Sequence, residues 1–411
     1  MKLLGRNMIR LGLEVFLKSN VSLIEGKKVG LLTNQTGVDN ELNSIIDLFY
    51  NNPRIKLTAI FAPEHGIRNE HQAGVGFQSY VDKRYNIPVF SLYRPSVKYL
   101  SLTSRNLDKR MRLGVSSVGK SPTPKMMEAI DVLVFDIQDV GIRVYTHIWT
   151  MALCMRICAK KGVSFIVLDR PNPINGVTME GFVLKYPKNS SFIGLYPILL
   201  RHGMTVGELA RFFNGEFLDD KVDSKAIPME GWKREMWYSN TSLPWIMPSP
   251  NIPTLDSATV YPGQVLFEGT NVSEGRGTTK PFEITGAPWI DGFKLSRKIN
   301  AYKFPGVKCR EVCFVPSFSK YKGRLCSGVQ MHVTDRSKYK PFEFALNLIK
   351  TIMEMYPDRF SFYENYFDMV VGNSKVREML LKNIEVDEIL QSSQEDLVKF
   401  SELRREYLLY S

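Results

Sequence analysis

Cysteine is scarce in this chain, and no apolar run is long enough to cross a bilayer. The five cysteines, Cys154, Cys158, Cys309, Cys313 and Cys326, form no Cys-x-x-Cys pair. An odd and sparse set of this kind excludes a disulfide scaffold. Cys154 and Cys158 stand at helical i, i+4 spacing among apolar neighbours and read as core thiols. A membrane span needs about 20 apolar residues, and nothing in the chain approaches that. Arg6 and Arg10 interrupt the apolar residues at the N-terminus, so the h-region of a leader is missing as well. As it reads, the chain is expected to be cytoplasmic, with an extracytoplasmic location the alternative if a leader was removed.

Motifs are missing too. Thr33-Asn34-Gln35-Thr36-Gly37 follows the first strand in place of Gly-x-Gly-x-x-Gly, which excludes a dinucleotide cofactor. The glycine-rich loop from Phe267 to Thr279 lacks the Gly-Lys-Ser/Thr ending of a phosphate loop. No Gly-x-Ser-x-Gly elbow is present, and no His-Glu-x-x-His or Cys/His spacing organises a metal site around His65, His71 and His147. The expectation is a protein with no cofactor and no metal.

What is present is an ordinary globular composition, 44% hydrophobic and 23% charged, over 411 residues. That length exceeds the size at which a single core stops growing, so two domains are expected. The net charge of +12 is spread along the chain without a helix-turn-helix or zinc-finger pattern. Nucleic acid is therefore not the expected partner, and an anionic carbohydrate or cell surface suits the sign.

Strand and helix signals alternate in the first part. Short apolar runs, Lys28–Leu32, Leu57–Phe61, Val89–Tyr93, Val132–Asp136 and Phe165–Asp169, read as buried strands. Helical stripes lie between them, notably from Thr146 to Lys161. This predicts a Rossmann-like parallel sheet covered on both faces. The proline-dense stretch from Pro244 to Pro262 reads as extended passage, unfit for a helix interior. It separates a Rossmann-like domain, 1–252, from a smaller α/β C-terminal domain, 253–411, with a cleft between them. The second domain is expected to hold helices over Asp291–Tyr302, around Ala345–Ile352, over Lys375–Leu390 and over Glu395–Leu409, and two strands, Glu311–Val315 and Val329–Val333. Leu397, Phe400, Leu403 and Tyr407 make the last helix amphipathic.

The chemistry gathers at strand ends, where open α/β sheets bind ligands. Ala62-Pro63-Glu64-His65-Gly66-Ile67-Arg68 leaves the second strand. Asp136-Ile137-Gln138-Asp139 leaves the fourth and runs on through Arg143 and Tyr145 to His147. Asp169-Arg170-Pro171-Asn172-Pro173-Ile174-Asn175 leaves the fifth. Turns built on Asp and Asn, or an internal ion-pair network around Asp136, Asp139 and Arg143, compete with a functional reading. The loop Glu268-Gly269-Thr270-Asn271-Val272-Ser273-Glu274-Gly275-Arg276-Gly277 offers backbone N–H groups and an arginine fork for an anion.

Taken in order, these runs resemble the NamZ-type exo-β-N-acetylmuramidases, a family formerly catalogued only as a domain of unknown function, DUF1343. Gly30–Gly37, Ala62–Arg68, Asp136–Thr146, Asp169–Pro173, Pro248–Thr254 and Glu268–Thr279 carry the likeness. It implies an exo-acting glycoside hydrolase that releases N-acetylmuramic acid from non-reducing ends of peptidoglycan fragments, with the family's proposed catalytic glutamate at Glu64. The lactyl carboxylate of such a substrate calls for an arginine, with Arg68, Arg143 and Arg276 as candidates. Glu64 is expected as the acid/base, its pKa raised by His65 or an apolar strand end. Asp136, Asp139 and Glu274 compete for the second catalytic role, and their separation from Glu64 decides between retention and inversion. Asn34, Tyr145, Asn172 and Asn251 are candidate sugar ligands, and Trp245 or Trp289 a stacking platform. The alternative is a non-catalytic muropeptide or sugar binder using the same cleft, and a metal-dependent hydrolase is a third reading.

Overall fold

The computed structural model describes residues 9–95 and 119–411; Met1–Met8, read above for a leader, lie outside the described residues. The expected runs form the middle of one seven-stranded sheet. Its strands are β1 (Lys28–Thr33), β2 (Lys56–Ala62), β3 (Tyr80–Asp82), β4 (Ile87–Ser91), β5 (Val132–Asp136), β6 (Ser164–Leu168) and β7 (Ser224–Ile227), in the order β3-β4-β2-β1-β5-β6-β7. All neighbours are parallel except β3 with β4. Leu31 of β1 pairs with Ile60 on one side and Val134 on the other, and every residue of β5 is buried. A strand covered on both faces gains from apolar side chains at every position, which is why these segments read as continuous runs. The chain leaves β1 toward β2 on one side and reaches β5 and β6 on the other. The loops after β1 and β5 diverge there, and a crevice opens at the carboxyl ends.

Local chemistry places the helices. Ser44 accepts the Ile46 N–H to start Ile45–Tyr50, and Gly162, with φ of 65°, closes His147–Lys161 after two lysines. A smaller antiparallel sheet, β8 (Ile284–Ala287), β10 (Cys326–Val333) and β9 (Val307–Phe314), forms the second layer system, with helices Gly292–Ala301 and Pro341–Met355 packed around it. β8 and β10 approach closely because Gly286 and Gly328 face each other; a Cβ on Gly328 would sit 2.0 Å from the Thr285 carbonyl.

Three expectations need correction. Pro262 lies inside a helix, Leu255–Gln264, which Thr254 caps by accepting the Ser257 N–H. Tertiary packing overrides the missing donor: Gly263 backs onto the Pro341 carbonyl, and the chain then tightens into a 3-10 turn, Val265–Gly269. The helix expected over 375–390 is two, Lys375–Leu381 and Val386–Gln391, broken at Asn383, which takes a left-handed φ of 56°. In the last helix, Gln394–Arg404, only Phe400 and Arg404 are buried and Leu403 faces solvent, so its leucines do not form one stripe. Sequence reading missed β3, β7 and β8. The first two are short edge strands, and β8 is interrupted by the glycine its close pairing requires.

Packing crosses the 252/253 line in both directions. Val140, Ile142, Val144, Tyr145 and Leu200 belong to the core of the second half. Phe400, Leu397, Tyr407 and Tyr410 return to pack against the first. Among the described residues no helix is long and apolar enough to cross a membrane.

Candidate functional site

Glu64 leaves β2 after Pro63 and is 6% exposed. His65 and Gly66 follow with φ of 75° and 83°, turning the chain sharply. The His65 ring is held by its Nδ1 against the His71 carbonyl at 2.8 Å, and the His71 N–H returns to the His65 carbonyl. This loop brings the Gly74 N–H to 2.7 Å from Glu64 Oε1. The Thr146 hydroxyl donates to Oε2, also at 2.7 Å. Burial acts to raise the carboxyl's pKa, but His65, the Thr146 hydroxyl, the Gly74 N–H and Lys120 together hold it below its ordinary value. The neighbours thus act against the expectation stated above: Glu64 rests as a carboxylate.

The β1 and β5 exits complete the surroundings. Asn34 accepts the Thr36 N–H and hydroxyl through Oδ1 and turns its amide to His147 Nε2 at 3.3 Å. Burial, with His65 beside it, lowers the His147 pKa to about 4, so its imidazole is neutral. Tyr145 meets that ring edge-on at 4.9 Å and meets Tyr261, from helix Leu255–Gln264, at 6.3 Å. Burial raises both phenols well above their usual range; each also feels the charges of Glu64 and Asp139. Asn251 donates to Gln72 Oε1 at 3.3 Å and so ties the Glu64 loop to the segment entering the second half.

Asp139 is different from the other carboxyls. Its Oδ2 accepts the Gly141 N–H at 2.7 Å, and its Oδ1 is buried without a partner. His202 Nε2 stands 3.9 Å from Oδ2. The Met204 N–H donates to His202 Nδ1, which places that ring's proton on Nε2. Burial, with Arg404, Arg143 and Arg201 nearby, drops the His202 pKa to about 3, so it is neutral. Burial raises the Asp139 carboxyl to about 7 despite N–H groups from Gly141 and Val140.

Several candidates are engaged within the fold. Asp136 is fully buried in a two-point pair with Arg170, at 2.5 and 2.8 Å, which straps the ends of β5 and β6 and occupies both carboxylate oxygens. Arg143, with no exposed surface, spends its guanidinium on the carbonyls of Phe182, Ile198 and Val370 and is not available to a substrate. Arg68 is tied to Asp82 on edge strand β3 at 2.7 Å. Asn172 donates to the Met204 carbonyl and accepts the Ile174 N–H, a turn-building role. Glu274, 1% exposed, is neutralised by Lys320 at 2.9 Å and Arg276 at 3.5 Å. Trp245, half-buried, packs edge-on with Tyr238, and Trp289, also half-buried, bonds the Tyr321 hydroxyl and packs edge-on with Tyr356.

Arg276 keeps a free edge. Its Nε and Nη2 go to Glu268 Oε1, whose other oxygen accepts the Tyr366 hydroxyl. The arginine side chain remains 18% exposed. Sequence reading gave Thr146 and Glu268 no role although they lie inside its strand-end and glycine-loop runs, and it missed Tyr261, Tyr366 and Lys120, which belong to neither. Lys120, whose ammonium stands over the Tyr93 ring, also closes a Gly-x-x-x-x-Gly-Lys-Ser match beginning at Gly114. The helix that follows, Pro124–Met127, is a single turn starting three residues after Ser121, so the described part lacks the long helix a phosphate loop opens. Among the described residues no group of three or more His, Cys, Asp or Glu side chains is arranged to hold a metal ion.

Fold and site define a two-part α/β protein that holds one ionised and one unpaired carboxyl at the carboxyl ends of a Rossmann-like sheet. The chain belongs to the NamZ exo-β-N-acetylmuramidase family: the family's N-terminal model matches residues 29–256 and its C-terminal model residues 259–410. It is thus a member of a glycosidase family. It is 45% identical over 403 residues to the peptidoglycan β-N-acetylmuramidase NamZ of Bacillus subtilis, covering 98% of this chain and 91% of that one. Two solved DUF1343-family proteins of Bacteroides fragilis share the fold. One is 35% identical with a TM-score of 0.87, over 99% of this chain and 100% of its own. The other is 29% identical with a TM-score of 0.73, over 98% and 99%.

Proposed function

We propose that this protein is an exo-acting glycoside hydrolase that releases terminal N-acetylmuramic acid from the non-reducing ends of peptidoglycan fragments, with Glu64 as its acid/base. The observation that carries the role of Glu64 is its seating: a buried carboxylate at a strand end, held by one N–H, one hydroxyl and nearby cations. A carboxylate so held is a base in the resting protein. It is suited to take a proton from water as the water oxygen bonds to the anomeric carbon. Arg276 and the half-exposed Arg68 remain as arginine candidates for the lactyl carboxylate, because Arg143 is committed to three buried carbonyls. Tyr145 and Tyr261 supply phenols beside the reacting atoms.

The test is a chromogenic β-N-acetylmuramide assay beside the matching β-N-acetylglucosaminide, with Glu64→Gln as control. Glutamine keeps one acceptor for the Gly74 N–H, and its amide N–H can donate to the Thr146 hydroxyl oxygen, so the fold is retained. Release from the muramide alone, lost in the variant, is the expected result. Wild-type turnover in Glu64→Gln would overturn the role of Glu64. Muropeptide binding without turnover of either glycoside would overturn the hydrolase reading in favour of a binding protein.

A further inference from the structure

We infer that Asp139 is the proton donor to the departing sugar, the partner of Glu64 in the reaction. This rests on the hydrolase reading above and adds the second catalytic group to it. Five other carboxyls stand near the site or its strand ends, and each has an assigned occupation; Asp169, at the β6 exit, accepts the Tyr410 and Thr205 hydroxyls and the Gly207 N–H. Glu64 accepts Gly74 and Thr146. Asp136 is paired with Arg170, Glu274 with Lys320, and Glu268 with Arg276 and Tyr366. Asp139 has no cationic partner, since the histidine facing it is neutral and carries its proton on Nε2.

The geometry also says where its own proton resides. The Gly141 N–H occupies Oδ2, so an acidic hydrogen belongs on Oδ1, the oxygen with no partner in the free protein. A buried hydroxyl-type donor without an acceptor is costly, and a glycosidic oxygen would supply the acceptor. Asp139 leaves the same strand, β5, as Tyr145 and Thr146, and the Thr146 hydroxyl holds Glu64; the phenols of Tyr145 and Tyr261 feel the charges of both carboxyls. Their environments push them apart: Glu64 below its ordinary value, Asp139 up to about 7. Two carboxyls separated in this way are how one site keeps both an acid and a base near neutral pH.

The step balances. The Asp139 proton passes to the glycosidic oxygen while the C1–O bond breaks and its electron pair leaves with that oxygen as a sugar hydroxyl. Water bonds to C1 through its oxygen, and its spare proton goes to Glu64. Exchange with solvent restores Asp139 as the acid and Glu64 as the carboxylate. No other co-reactant is needed.

Proton donation matters in proportion to how poor the leaving group is, which separates a donor from a structural residue. The experiment compares Asp139→Asn with wild type on two substrates: a muramide with a dinitrophenyl leaving group, and N-acetylmuramyl-β-1,4-N-acetylglucosamine. The expected result is a loss on the disaccharide of about 10²–10⁴-fold, the usual worth of general acid catalysis, with the aryl muramide within a few-fold of wild type. Equal losses on both substrates, or no loss on either, would overturn the proposal. Asn mimics the protonated carboxyl, and its melting curve checks the fold; Asp139→Ala read on the same pair keeps the test standing if Asn does not fold. Wild type inactive on both substrates would instead sink the hydrolase reading itself.

Discussion

The Thr146 hydroxyl and the Glu64 carboxylate meet at 2.7 Å, joining the residue before helix His147–Lys161 to the end of β2. The bond links two loops 82 residues apart in sequence and stabilises the ionised form of Glu64. A hydrogen bond to a charged group is worth about 1.5–3 kcal/mol. Thr146→Val should therefore lower kcat/KM by roughly 10- to 150-fold. Glu64 would then ionise at higher pH, so the acid limb of the kcat/KM profile should move upward, and Thr146→Ser should restore it. A pH–rate profile of the three proteins checks both statements.

Arg276 keeps one guanidinium edge while its Nε and Nη2 hold Glu268. Arg276→Ala should raise KM for the muramide about tenfold or more, with a smaller effect on kcat. Steady-state kinetics on the muramide and on its lactyl methyl ester give the check. The ester lacks the carboxylate, so its KM should change little.

Arg143 is expected to behave in the opposite way. Its removal would strand the buried carbonyls of Phe182, Ile198 and Val370. Each unsatisfied buried group costs about 1–3 kcal/mol, so Arg143→Ala should cost at least 3 kcal/mol or so in urea unfolding. Arg143→Ala that remains as stable as wild type, with only its KM raised, would return this arginine to the substrate.

Asp139 supplies a pH signature independent of turnover. Its carboxyl ionises near 4 when unfolded and at about 7 when folded. The folded state therefore binds the proton more tightly, and the associated stability is full below the unfolded value and lost as pH rises toward 7. Asp139→Asn carries no such loss. Its stability relative to wild type should climb by up to about 1.4 kcal/mol per pH unit between about 4 and 7 and then level off. Urea titrations of both proteins at pH 5, 6, 7 and 8 measure it.

The C-terminal tail belongs energetically to the first sheet. The Tyr410 hydroxyl donates to Asp169 Oδ2 and accepts the Met229 N–H, while Arg404 donates to the Gly203 and His202 carbonyls. Tyr410→Phe should cost about 1–3 kcal/mol through the buried groups it strands. Deleting residues 405–411 should lower the melting temperature further, which calorimetry reads directly.

The strands were legible because burial on both faces imposes continuous apolar runs, and β5 matches its expected bounds, Val132–Asp136, residue for residue. The habit of placing polar groups at strand ends was legible for the same reason, since a parallel sheet leaves only its ends wet. Short edge strands and the helix around Pro262 were not, because their stability comes from neighbours distant in sequence: Gly263 against Pro341, β8 against β10. The sequence by itself determined the Rossmann-like order of elements and the family, through runs long enough to be read locally. It also placed Glu64 among the candidates. Which carboxyls are free was decided only by the tertiary structure. Asp136, Glu274 and Asp139 look alike as letters, yet Arg170 and Lys320 reach the first two, while only a neutral histidine faces the third. A carboxyl's charge depends on its burial and on the side chains folding brings within a few ångströms, and neither is a property of its neighbours in sequence.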